Sequence, residues 1–260
     1  MLREIESEEF LAMAAEDTEL DMTAGDKLAE EEKSGLQAQL EQEDKEGKEE
    51  KDHSSPPEQT ACGSSFQGAS VLVVQSSAQA EESSVSRSVI KLLVARLQAL
   101  GAAATTTREC APLPFVDEDF VAKSRNPLKH KARGGTGGDL SAWEVSCACC
   151  DELLGADVVV VAAPCYNFSI PASLKAWVDL VTIVKKTYRY GAKGPEGLLR
   201  GRTKAFVVAT TGGADVGSAF DFGTRYLRHM LTLLGVVQVV VVAVPHGDTR
   251  AAEALIEKLA

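Results

Sequence analysis

Four near-continuous runs of valine and alanine, Val71 to Val74, Val158 to Val161, Ala205 to Ala209 and Val236 to Val242, restrict this chain to few folds. Apolar residues without polar alternation read as strands covered on both faces, which is the habit of parallel sheets. A weaker strand candidate spans Ala103 to Thr107. Between the runs, apolar residues recur at helical spacing: Ile90, Leu93, Val94 and Leu97, then Leu174, Trp177, Val178 and Val181, then Leu227, Met230, Leu231 and Leu234. Gly101 and Gly235 follow the first and last of these stripes, where a left-handed helix end is wanted, and Ala251 to Leu259 supplies a closing helix. Strands alternating with helices predict a doubly wound α/β domain, a five-stranded parallel sheet with helices on both faces. No internal repeat is visible.

That pattern begins only at about residue 70. Residues 1 to 60 hold 20 Asp/Glu against 6 Lys/Arg, a net of −14, so residues 61 to 260 carry +3 of the overall −11. Glu/Lys runs (Glu41 to Asp52) and a Ser/Pro/Gly stretch (His53 to Gly68) offer too little apolar surface to offset chain entropy. Residues 1–69 are therefore expected to be a disordered acidic low-complexity leader, and 70–260 the folded domain. Leu11, Met13, Leu20, Met22 and Leu28 admit one weak amphipathic helix, with a solvated tail as the plainer reading.

The charge distribution gives no support to a nucleic-acid function, which needs a concentrated basic face. The longest apolar stretches, Val158 to Pro164 and Val236 to Pro245, fall short of a membrane span. Met1 to Phe10 lacks the basic and apolar regions of a secretory signal, so the expected compartment is the cytoplasm and the six cysteines are expected to be reduced thiols. Cys147, Cys149 and Cys150 cluster on a predicted helix without a second pair or nearby histidines, and His53, His130, His229 and His246 show no ligand spacing. No metal site is expected. Gly134 to Gly138 neither follows a strand nor completes a dinucleotide fingerprint. The basic stretch Lys123 to Arg133 reads either as an exposed segment or as a contact for an NADPH 2′-phosphate.

Open parallel sheets bind ligands beyond the carboxyl ends of their strands, so the loops after the valine runs carry the chemistry. After the first strand, Gln75 to Ser86 is rich in hydroxyls and leads into a helix. Hydroxyls and free N–H groups at a helix N-terminus form an anion site, suited to a phosphate, although one of Ser83, Ser84 and Ser86 must cap the helix in any case. After the third strand, Ala163 to Pro171 places Tyr166, Asn167 and Phe168 in one loop, which suits a planar heterocycle or merely covers the core. After the fourth, Thr210-Thr211-Gly212-Gly213 lets a ligand approach the backbone, or makes a tight turn.

Taken in order, Ser-x-Ser opening the first helix, Pro164-x-Tyr166-Asn167-Phe168, Arg189-Tyr190 followed by Gly194-Pro195-Glu196-Gly197-Leu198, and Thr-Thr-Gly-Gly resemble the FMN-dependent NADH azoreductase family. Its members are flavodoxin-like NAD(P)H:quinone oxidoreductases, and the resemblance runs from about Ala69 to Ala260. It implies a flavodoxin-like fold and an FMN cofactor. It further implies reduction of quinones or azo compounds by two-electron ping-pong hydride transfer from NADH or NADPH. By the same resemblance Ser77, Ser84, Val85 and Ser86 look like the phosphate cradle. Pro164, Cys165, Tyr166, Asn167 and Phe168 resemble the loop along the flavin ring, and Thr210, Thr211, Gly212 and Gly213 the loop at its pyrimidine end. Tyr190 and Phe168 resemble contacts to the ring face. A homodimer with shared sites is implied as well. The residues depart from the family pattern at Val85, at Thr210-Thr211, at Leu233, and at Ala214 to Val216, where no histidine follows the glycines. A flavodoxin-type electron carrier and a non-catalytic adaptor are the alternative readings.

Overall fold

The computed structural model describes residues 66–127, 129–130, 140–192, 194–213 and 215–259. The expectation for the leader falls outside them up to residue 65, as does the glycine loop 134–138. A five-stranded parallel sheet is built from β1 (Ser70–Gln75), β2 (Ala104–Glu109), β3 (Val158–Pro164), β6 (Lys204–Thr211) and β7 (Gln238–Pro245), in the order β2-β1-β3-β6-β7. This is the predicted doubly wound flavodoxin-like arrangement. Between β1 and β2 runs α1 (Val85–Ala99); α2 (Glu118–Ser124) and α3 (Ala142–Gly155) precede β3, and α4 (Ala172–Val181) follows it. Helix α5 (Phe222–Leu234) joins β6 to β7, and α6 (Arg250–Glu257) closes the described chain.

Strand periodicity divides the core in two. Leu72, Val74, Val159, Val161, Ala205 and Val207 face α3, α4 and α5, while Val71, Val73, Val158, Val160, Phe206 and Val208 face α1 and α6. All seven residues of β3 are buried, as the unbroken valine run requires of a central strand. Phe66 is buried in the second cluster, and Gly68 N–H donates to Gly101 O, so the packed unit reaches back past residue 70.

Two strands depart from the expectation of coverage on both faces. Among the described strands β7 has only β6 as a neighbour, and Val239, Val240 and Val241 remain half-exposed. β2 forms the other edge and is exposed along nearly its whole length. The sequence pattern also gave no warning of a small antiparallel hairpin, β4 (Tyr188–Gly191) with β5 (Gly194–Gly197). The helix ends follow local rules. Ser141 and Glu144 form a reciprocal capping box at α3, and Asp221 accepts from Thr224 N–H at α5. Gly101 and Gly235 take φ of +103° and +106° just past their helices.

Candidate functional site

The order in which strands are added to the sheet reverses between β1 and β3: β2 lies on one side of β1, and β3, entered next, on the other. The carboxyl ends of these strands are where such sheets form a crevice. There a cleft of about 190 Å³ is lined by Ser77, Gln79, Val85, Ser86, Pro164 and Cys165, and further round by Tyr166, Thr210, Thr211, Gly212 and Gly247.

Its first wall is the N-terminus of α1. Ser84 caps the helix, accepting from Arg87 N–H, and is 1% exposed. Its hydroxyl donates to Ser77 Oγ at 2.9 Å and lies 3.1 Å from Ser86 Oγ. The cap and the hydroxyl cluster, posed as alternatives by the sequence, are thus one structure. The first N–H groups of a helix have no partner within it, and the helix dipole adds a partial positive charge at this end.

The second wall is the turn after β3. Tyr166 and Ser169 exchange backbone hydrogen bonds at 2.9 and 3.1 Å, closing a turn whose central residues Asn167 and Phe168 take φ of 50° and 66°. Asn tolerates the left-handed region; a bulky aromatic seldom does. Phe168 is 55% exposed, its ring centroid 6.1 Å from that of Phe220. Tyr166 Oη accepts from Ala78 N–H at 3.4 Å, joining this turn to the first loop. On the far side of Tyr166 a second cavity of about 590 Å³ holds Asn167, Ser169, Ile170, Pro171, Lys175 and Tyr226.

The third wall is the end of β6. Cys165 N–H donates to Thr210 O at 2.8 Å, so the second and third walls are tied. Thr211 Oγ1 is buried on this wall and has no hydrogen-bond partner among the described residues. A buried hydroxyl left in that state costs about 1–3 kcal/mol unless a ligand satisfies it.

Of the candidate residues, Ser77, Val85, Ser86, Pro164, Cys165, Tyr166, Thr210, Thr211 and Gly212 line the cleft together. Ser84 stands behind Ser77 and Ser86, and Asn167 lines the adjoining cavity. Gly213 and Phe168 flank these walls in sequence without lining either space. Tyr190 is on the β4–β5 hairpin, 72% exposed and edge-on to Tyr188 at 5.7 Å, and lines neither space. Gln79 and Gly247 were not anticipated. Gly247 follows β7, and the rule that located the other loops also applies to that strand. A roomier groove of about 650 Å³ lies beside α5 with Arg225, Arg228, His229 and Leu233. It contains none of the converging hydroxyls, so the smaller cleft is the better candidate site.

Burial pushes the thiols of Cys110 and Cys150 up to about 12 and that of Cys149 up to about 11, which makes them inert packing groups. Among the described residues no three His, Cys, Asp or Glu side chains gather as metal ligands, and no helix is long and apolar enough to cross a membrane.

A family model described as flavodoxin-like fold matches residues 69–260. An FMN-dependent NADH:quinone oxidoreductase of Thiobacillus denitrificans is 41% identical over 186 residues, covering 69% of this chain and 86% of that protein. One from Hahella chejuensis, bearing the same description, is 38% identical over 171 residues, 65% of this chain and 81% of its own. Among solved structures, an azoreductase from Bacillus anthracis superposes with a TM-score of 0.61 at 22% identity, over 74% of this chain and 96% of that one. An FMN-dependent NADH-azoreductase of the same species, in complex with FMN, gives 0.60 at 19% identity over 73% and 95%. At such identities these structures show the shared fold.

Proposed function

The chain belongs to the family of flavodoxin-like FMN-dependent NADH:quinone oxidoreductases, and from that premise we propose that it is itself such an enzyme, reducing quinones or azo compounds with NADH. The observation that carries the reading is the Ser77, Ser84 and Ser86 hydroxyl cluster at the N-terminus of α1, which opens into the β1/β3 crevice. The residues fit FMN: the hydroxyls and first amides of α1 suit its phosphate, and the orphaned Thr211 Oγ1 offers a partner to a polar ring edge. The chemistry that FMN supplies when bound is two-electron hydride exchange.

Each wall has its own part in this reading. The α1 terminus holds the phosphate with hydroxyls already paired to one another, so little ordering remains on binding. The Tyr166 turn would place Tyr166 and Asn167 along the ring, while Phe168 on the same turn lines neither space in its own chain. The Thr210–Gly213 loop presents backbone N–H groups where negative charge accumulates on reduction, a preorganised electrostatic contribution. Tyr190 reaches none of these walls in its own chain, and we assign it to the site of a second copy in a homodimer; the exposed Phe168, Tyr190, Phe220 and Phe222 support that assembly. The five described cysteines are all unpaired, which supports a reducing, cytoplasmic location.

The full chain mixed with FMN should turn yellow, bleach with NADH and regain colour with menadione or an azo dye. Colour that NADH does not bleach would indicate an electron carrier, and failure to take up FMN an adaptor. Thiol labelling checks the placement independently of turnover. In a Cys62→Ser background at pH 8, maleimide should modify Cys165 while Cys110, Cys149 and Cys150 resist, their thiolate fractions being about 10⁻³ or less. FMN should slow the Cys165 reaction about tenfold or more as it covers that wall. An unchanged rate with saturating FMN would remove the ring from the Cys165 wall.

A further inference from the structure

His246 follows β7 on the exposed rim of the candidate site. Its backbone N–H donates to Thr211 O at 2.7 Å, and its ring Nδ1 lies 2.8 Å from Gly212 O. A carbonyl oxygen only accepts, so in this contact Nδ1 is the donor. With Cys165 N–H on Thr210 O, three successive carbonyls of the third wall are each held, two of them by His246. A Cβ added at Gly212 or Gly213 would meet no atom within 4 Å, so close packing on that side does not fix this end of the loop.

The histidine also occupies a costly position. Asp248 N–H donates to Pro245 O, and the two central residues of that turn, His246 and Gly247, take φ of 54° and 75°. Gly, Asn and Asp are the residues suited to such a turn, and a histidine there stores strain of about 1–3 kcal/mol. The strained residue lies next to Gly247, itself part of the cleft lining.

We propose that His246 is a positioning residue for the flavin, fixing the direction of the Gly212 and Gly213 N–H groups by holding the carbonyls of Thr211 and Gly212. Peptide planarity makes the connection: each N–H points opposite the carbonyl of the residue before it, so anchoring Thr211 O and Gly212 O sets the N–H vectors of Gly212 and Gly213. Oriented amides favour the electron-rich reduced ring over the oxidised one. The proposal rests on FMN binding in the cleft.

Two variants separate this role from turn geometry. His246→Gly keeps the left-handed backbone and removes the ring donor, whereas His246→Asn tolerates the same backbone and places an amide donor near the Nδ1 position. The dissociation constant of each flavin form is read by anaerobic titration of the full chain, and the midpoint potential by spectroelectrochemistry. His246→Gly is expected to weaken reduced FMN about fivefold to tenfold, oxidised FMN less, and to move the midpoint potential negative. His246→Asn is expected to restore most of both. The proposal is overturned if His246→Gly binds both forms like the unaltered chain, if both forms weaken equally, or if His246→Asn behaves like His246→Gly. If the unaltered chain takes up no FMN, the functional reading beneath it fails instead.

Discussion

Replacing Ser84 with aspartate is expected to weaken FMN binding at least about a hundredfold while leaving riboflavin affinity nearly unchanged. Aspartate caps helices as well as serine does, so α1 keeps its N-cap and the helix dipole still meets a favourable charge. The change is electrostatic: a carboxylate would stand among the Ser77 and Ser86 hydroxyls, where the phosphate is expected. Two unit charges about 4 Å apart repel by roughly 4 kcal/mol at an intermediate dielectric, close to a thousandfold in affinity, and screening reduces that by some part. Riboflavin carries no phosphate and reports the ring site alone. Fluorescence titration with both ligands decides the matter: equal losses would mean a damaged fold, and FMN retained within about tenfold would mean that the phosphate binds elsewhere.

Gly197→Ala should be the more damaging change to the fold. An added Cβ would lie 2.1 Å from Gly235 N and 2.1 Å from Leu234 C, both backbone atoms at the end of α5. The backbone of β5 and the last turn of that helix touch here without intervening side chains, and Leu199 N–H donates to Leu234 O one step further on. Gly235 already takes a left-handed conformation and has little room to yield. Overpacking of this kind costs about 3 kcal/mol, which for a unit of this size lowers the thermal midpoint by roughly 6–12 °C. Gly201→Ala is the matched control, because nothing lies within 4 Å of its Cβ and its φ is not positive. Calorimetric melts that shift equally in the two variants would refute the close-contact account.

The sheet was legible because β3 is buried on both faces, and only uninterrupted small apolar residues satisfy that demand. Valine runs do not distinguish a central strand from an edge. β7 is as valine-rich as β3 yet half-exposed, since burial depends on which neighbour lies alongside and not on the strand's own composition. The β4–β5 hairpin went unrecognised as a pair of strands because Gly191, Gly194, Pro195 and Gly197 contradict strand propensity, and close packing against Leu234 and Gly235 explains the last of these. At the candidate site, the hydroxyls of Ser77, Ser84 and Ser86 could be found because a helix start after a strand has a local signature. His246 could not. Its ring acts on a backbone carbonyl 34 residues away, and contacts of that kind leave no residue spacing to detect.

The half-exposed border at β7 carries a hazard of its own. Val239 to Val242 forms an uncharged, β-branched stretch on the open side of the sheet, the composition from which intermolecular strand pairing and aggregation start when a protein partly unfolds. The Arg228 guanidinium donates to Val239 O at 3.2 Å, so one acceptor along that strand is already taken by a hydrated cation. Arg228→Ala frees that acceptor and is therefore expected to aggregate faster on partial unfolding than the unaltered chain, as read by light scattering.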